Sequence, residues 1–191
     1  MIKTAQNVLN INNRKKFRLW LEKHANKEPE CWVVVKKGKP TKDETLFYLD
    51  AVEEALCFGW IDSTHRVING KRMQRFSPRN KNSNWTELNK ERVKRLEKLG
   101  LMTDLGRESF PDDIKNFEFD LEIVDELKKA KVWNKFKKFP ILYQRIRISN
   151  IVFYKKRNLE TYNNMIIHLI QETKKEKMFG NWNDYGRLLN Y

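Results

Sequence analysis

Asp62, Arg75, Ser77 and Arg79 are the residues whose types and spacing could do chemistry in this chain. They flank Asn69-Gly70, which separates two strand-like runs, Trp60–Ile68 and Lys71–Pro78. A type I′ hairpin loop needs two residues with positive φ, and Asn-Gly supplies them. A two-residue loop sets Ile68 opposite Lys71, and hence Asp62 opposite Ser77 and Thr64 opposite Arg75. Alternation then puts Asp62, Thr64, Arg66, Arg75 and Ser77 on one polar face, with Ile61, Val67 and Phe76 on the other. On that face Asp62 could orient Arg75, and Arg75 with Arg79 could grip an anion bidentately. Ser83, Asn84 and the first N–H groups of the next helix, which also carries Asn89, could add neutral donors. Trp60 and Trp85 could stack a planar group. The alternative is structural: an ion pair and helix caps lock the hairpin onto that helix, and both tryptophans are core.

Covalent chemistry has thin materials. A nucleophile needs a base within hydrogen-bond reach and a group that orients the base. His65 falls on the face opposite Asp62, Cys57 lies in a helix beside Phe58, and Ser77 has no partner base. There is no glycine-rich phosphate loop and no Gly-x-Ser-x-Gly elbow. His24, His65 and His168 share no ligand spacing with Cys31 or Cys57, so neither a metal nor a cofactor is expected. A binding role is favoured over an enzymatic one.

The elements that must position these residues are legible as patterns. Asn12 or Asn13 can cap a first helix through Phe17, Trp20, Leu21 and His24. Residues 31–35, Cys-Trp-Val-Val-Val, read as a buried strand. A second helix runs from about Tyr48 to Phe58 with Ala51, Val52, Ala55 and Leu56 inward, and Gly59 stops it as a left-handed cap. After Pro78, Ser83 or Asn84 caps a third helix, Asn84 with Glu87 fitting a capping box. Its stripe is Trp85, Leu88, Val93, Leu96 and Leu99, and Gly100 ends it. Thr103 caps a short helix to about Phe110, and Pro111-Asp112-Asp113 breaks the chain. Helices then follow over 121–130, 133–139, 141–154 and 159–178, with a docked tail carrying Trp182, Tyr185 and Tyr191. The fold class expected is α+β: a small antiparallel sheet that includes the hairpin Trp60–Pro78, packed with helices, then an all-helical C-terminal region. The domains expected are 1–111 and 112–191.

Composition bounds the rest. The chain has 191 residues, 40% of them hydrophobic, enough to bury a core. No apolar run could span a membrane, and no secretory signal is read at the N-terminus, so the expected location is cytoplasmic. Two cysteines make no disulfide framework. The net charge is +14, which favours polyanion encounter. Residues 63–83 hold Arg66, Lys71, Arg72, Arg75, Arg79 and Lys81 and no acid. A basic stretch of this kind is the footprint of a nucleic-acid binder, or simply a lysine-rich surface.

Ala55-Leu-Cys-Phe-Gly-Trp-Ile-Asp62, Gln74-Arg-Phe-Ser-Pro-Arg79, Ser83-Asn-Trp-Thr86 and Asn89 resemble the YdeI/OmpD-associated family, also called bacteriocin-protection proteins. Phe17, Trp20, Leu21, Trp32 and Gly100-Leu-Met-Thr103 fit the pattern too. The chain departs from it at Phe47, Asp104, Tyr162 and Met165. The resemblance implies bacteriocin or stress tolerance and no established reaction.

Three function classes follow. One is a binding protein for a small anionic or planar ligand at the corner formed by Trp60, Asp62, Arg75, Ser77, Arg79, Ser83, Asn84, Trp85 and Asn89. The second is a nucleic-acid binder using the basic hairpin. The third is a partner-binding module acting through the C-terminal helices. The oligomeric state is not readable.

Overall fold

The computed structural model describes residues 7–41, 45–80, 83–110 and 117–191. Lys81, the break at 111–113 and the domain boundary expected at 111/112 lie outside the described residues. The chain divides into two compact units, 1–84 with 92–112, and 85–91 with 113–191.

The first unit holds a four-stranded sheet and its helices. Its elements are β1 (Val8–Leu9), α1 (Arg14–His24), β2 (Cys31–Val33), α2 (Tyr48–Cys57), β3 (Trp60–Ile68) and β4 (Lys71–Pro78). The later part of α3 (Glu87–Lys98) and α4 (Asp104–Glu108) complete it. Strand order is β1-β2-β4-β3. β2, β4 and β3 are antiparallel, but β1 runs parallel to β2. The sheet is therefore mixed, which corrects the antiparallel expectation. Two residues are too few to carry a readable period, so β1 left no trace in the pattern.

Local signals explain most boundaries. Asn13 accepts from the Lys16 amide and starts α1. Phe47 precedes α2 without a side-chain cap. Gly59 closes α2 at φ +70°, where an added Cβ would stand 2.7 Å from the Leu105 carbonyl oxygen. Only glycine fits that conformation and that space. The third helix starts at Glu87, later than expected, and the Thr86 hydroxyl accepts from the Asn89 amide. Thr86, not Ser83 or Asn84, is thus the cap. Thr103 caps α4 as its sequence suggested. Leu99, expected in the apolar stripe of α3, is 47% exposed.

The core of this unit lies between the sheet and α1 with α2. Phe17 of α1 meets Phe76 of β4 at 5.4 Å between ring centres, and Trp20 meets Trp60 edge-on at 5.8 Å. Cys31, Trp32 and Val33 are all buried.

The second unit is helical: α5 (Leu121–Lys129), α6 (Trp133–Phe136), α7 (Ile141–Lys155) and α8 (Leu159–Lys174), then a 3-10 turn at Asp184–Gly186. Its core gathers Ile123, Leu127, Phe136, Tyr143, Ile146, Ile148 and Leu169. Trp182 of the tail is buried among them. The α+β class and the helical C-terminal region are thus as the sequence pattern implied. Among the described residues no helix is long and apolar enough to cross a membrane.

Candidate functional site

The hairpin decides what the expected site residues can do. Asn69 and Gly70 have φ of 49° and 71°, as a type I′ turn requires. Ile68 pairs with Lys71, and the expected register holds down to His65 opposite Gln74. There it breaks. Asp62 pairs with Phe76 and Ile61 with Ser77, so Ser63 and Thr64 together oppose Arg75. This is a β-bulge, one extra residue in β3. The Gln74 side-chain Nε2 donates to the Ser63 carbonyl at 3.3 Å and the Thr64 carbonyl at 3.1 Å, satisfying backbone groups that the bulge takes out of the ladder.

The bulge reverses the facing of Asp62. Expected opposite Ser77, on one face with Arg75, it instead pairs with Phe76 on the helix-covered face. Its carboxylate accepts from the Tyr48 hydroxyl of α2 at 2.6 Å. Arg75 lies on the other face. Its guanidinium donates to Glu30 at 2.5 Å, Ser63 at 3.0 Å and Ser77 at 3.2 Å. Glu30 also accepts from the Trp32 indole at 2.8 Å. The structure therefore does not bring Asp62 and Arg75 together. Each is held by a partner that fixes the hairpin base.

The other expected residues are placed as follows. Trp60 is 1% exposed and its indole donates to the Ala25 carbonyl at 2.9 Å, so it is a core side chain with a satisfied N–H. The Arg79 amide donates to the Gly59 carbonyl, and its guanidinium donates to the Asn84 carbonyl at 2.6 Å. Burial pulls the Arg79 guanidinium down to about 10, against an opposing pull from Asp62. Ser83 has a buried hydroxyl with no hydrogen-bond partner. Trp85 and Asn89 belong to the second unit and are both buried.

Beyond the bulge the hairpin changes character. His65, Arg66, Val67, Lys71 and Arg72 are all exposed, Val67 at 72%. Pairing puts Arg66 and Lys71 on one face, with Arg66 lying over the Trp32 ring at 5.5 Å. Arg72 lies on the other face, where its guanidinium meets the His65 ring nitrogen. A groove of about 710 Å³ opens beside the Arg66/Lys71 face, and Lys36, Asn69 and Lys71 are on its walls.

A second cluster of charge escaped sequence reasoning. Asp50, Glu53 and Glu54 of α2 are buried. Arg14 reaches Asp50 at 3.1 Å, Glu53 at 2.8 Å and Glu54 at 2.5 Å. Arg18 meets Glu54 at 2.8 Å and Arg95 meets Glu53 at 3.0 Å. Burial pulls the Arg14 guanidinium down, but Glu54, Glu53 and Asp50 overcome it and leave it above its ordinary value. These carboxylates all have cationic partners within the unit. Burial, helped by Glu54, pushes the neighbouring Cys57 thiol up to about 12, which removes it as a nucleophile.

Residues 9–109 match the family described as a domain of unknown function, DUF8412. The chain belongs to that family. The DUF8412 match spans the sheet, its hairpin and the helices of the first unit. No curated protein and no solved structure matches the chain. The family found overturns the resemblance to YdeI/OmpD-associated proteins, and the bacteriocin and stress associations fall with it. The residues that carried the resemblance have structural work in this DUF8412 domain. Ala55, Leu56 and Cys57 are buried helix packing, Gly59 is the cap, and Trp60, Asp62 and Phe76 anchor the hairpin base.

Proposed function

We propose that the protein is a non-catalytic binding protein whose ligand is an extended polyanion of the nucleic-acid type, engaged by the distal hairpin. The observation that carries this is the distribution of cations along β3 and β4. Arg66, Lys71 and Arg72 are exposed on both faces of a two-stranded ribbon, whereas Asp62 and Arg75 at the base are engaged internally. A β-ribbon fits a major groove, and cations on both faces suit the phosphate ridges on either side. The net charge of +14 adds long-range attraction. The test is fluorescence anisotropy of a labelled DNA duplex with rising salt. Log K is expected to fall linearly with log salt by about 0.9 for each phosphate contact. Changing Arg66, Lys71 and Arg72 together to Gln should flatten that slope. A slope near zero in the unmodified protein rules the reading out.

A second reading keeps a small anion at Arg79, within the first unit. It is favoured by Arg79, where burial lowers the guanidinium to about 10 and an added anion would relieve that cost. Inorganic phosphate raising the melting temperature, and failing to do so in Arg79→Gln, would support it over the ribbon.

A further inference from the structure

Arg147 in the second unit is a half-buried cation in a different setting from Arg14. Its guanidinium lies over the Phe179 ring at 4.7 Å and the Tyr143 ring at 5.4 Å. Its Nε is buried and has no hydrogen-bond partner. Among the described residues no carboxylate pairs with it, in contrast to Arg145 two residues earlier, which meets Glu87 and Glu91. Gly180 passes close by, and an added Cβ would stand 3.2 Å from an Arg147 terminal nitrogen. Burial lowers the guanidinium below its ordinary range, and only the Tyr143 hydroxyl opposes that.

Arg147 opens onto a cavity of about 260 Å³ between α7, α8 and the segment carrying Phe179. Its remaining polar lining is Asn150, Thr161 and Asn164, with His168 packed edge-on against Phe179 at 4.4 Å between ring centres. Ile151, Met165 and Phe179 supply apolar wall. A cation desolvated by aromatic rings, facing a roomy cavity without an acid, is stabilised by whatever anion enters. The planar guanidinium fork matches a carboxylate in two parallel hydrogen bonds, and amide and hydroxyl donors complete its shell. The apolar walls ask for more than a bare ion.

We infer that this cavity is a binding site for a small organic carboxylate with an apolar body, held by Arg147 and oriented by Asn150, Thr161 and Asn164. The site lies wholly within the helical unit and is independent of the hairpin and of whatever the hairpin binds.

The test uses the full chain labelled with ¹⁵N and three probes: benzoate, its neutral analogue benzamide, and inorganic phosphate. Benzoate is expected to shift amides in 147–151, 161–168 and 179–180 with a Kd of about 1 mM or tighter. Benzamide should bind at least about tenfold more weakly, the loss of one charge-assisted contact. Arg147→Met should abolish the benzoate shifts while melting within a few degrees of the unmodified protein, because the lost cation was costly to bury. Asn164→Ala, which keeps the cation, should weaken benzoate without unfolding the chain. Equal shifts from benzoate and benzamide would reduce the cavity to an apolar void and overturn the inference. So would phosphate binding as well as benzoate, no benzoate shifts at all, or a large fall in melting temperature in Arg147→Met.

Discussion

The base and the tip of one hairpin use the same residue types to opposite ends. At the base, Arg75 is tied to Glu30, Ser63 and Ser77, and Asp62 to Tyr48. At the tip, Arg66, Lys71 and Arg72 are exposed and meet no carboxylate among the described residues. The bulge at Ser63 and Thr64 divides the two halves. The difference teaches that charge near a sheet is not one property. A guanidinium with a partly buried carboxylate fixes register, and an exposed one only shapes the field outside.

That contrast implies an order of effects on stability that is reversed for binding. Gly59→Ala strikes the base hardest, because the new Cβ must enter at positive φ against the Leu105 carbonyl. Chemical denaturation should show a loss of roughly 2–4 kcal/mol. Glu30→Ala removes the partner of both Arg75 and the Trp32 indole. A loss of about 1–3 kcal/mol is expected in the same measurement. Tyr48→Phe deletes the 2.6 Å hydrogen bond to Asp62, for about 1 kcal/mol. Changing Arg66, Lys71 and Arg72 singly to Gln should move stability by no more than about 0.5 kcal/mol each. Those same three changes should carry the loss of polyanion affinity, while Tyr48→Phe leaves it intact at temperatures where the protein is folded. A tip variant as destabilising as Glu30→Ala would break the distinction.

The sequence was informative where signals are local. Asn69-Gly70 announced the turn and the pairing down to His65, and Asn13, Gly59 and Thr103 announced three helix ends. It misled at Asp62. The run Asp62, Thr64, Arg66 alternates equally well with or without an extra residue, and only Gln74 and Tyr48, bonding across the fold, settle where the strand slips. The buried acids of α2 were hidden for a related reason. Glu53 and Glu54 look like solvent residues until Arg14, Arg18 and Arg95 are brought onto them from distant parts of the chain. Arg147 gave no signal either, because an arginine in a helical run with Arg145 two residues before it reads as an ordinary exposed position.

The most direct test of the hairpin account is to map a DNA duplex onto the amide spectrum of the full chain. Shifts confined to 65–72 and the groove residues Lys36 and Met73, with Asp62, Ser77 and Arg79 unmoved, are what the account predicts. Shifts centred on Arg79 and Ser83, with the tip silent, would contradict it.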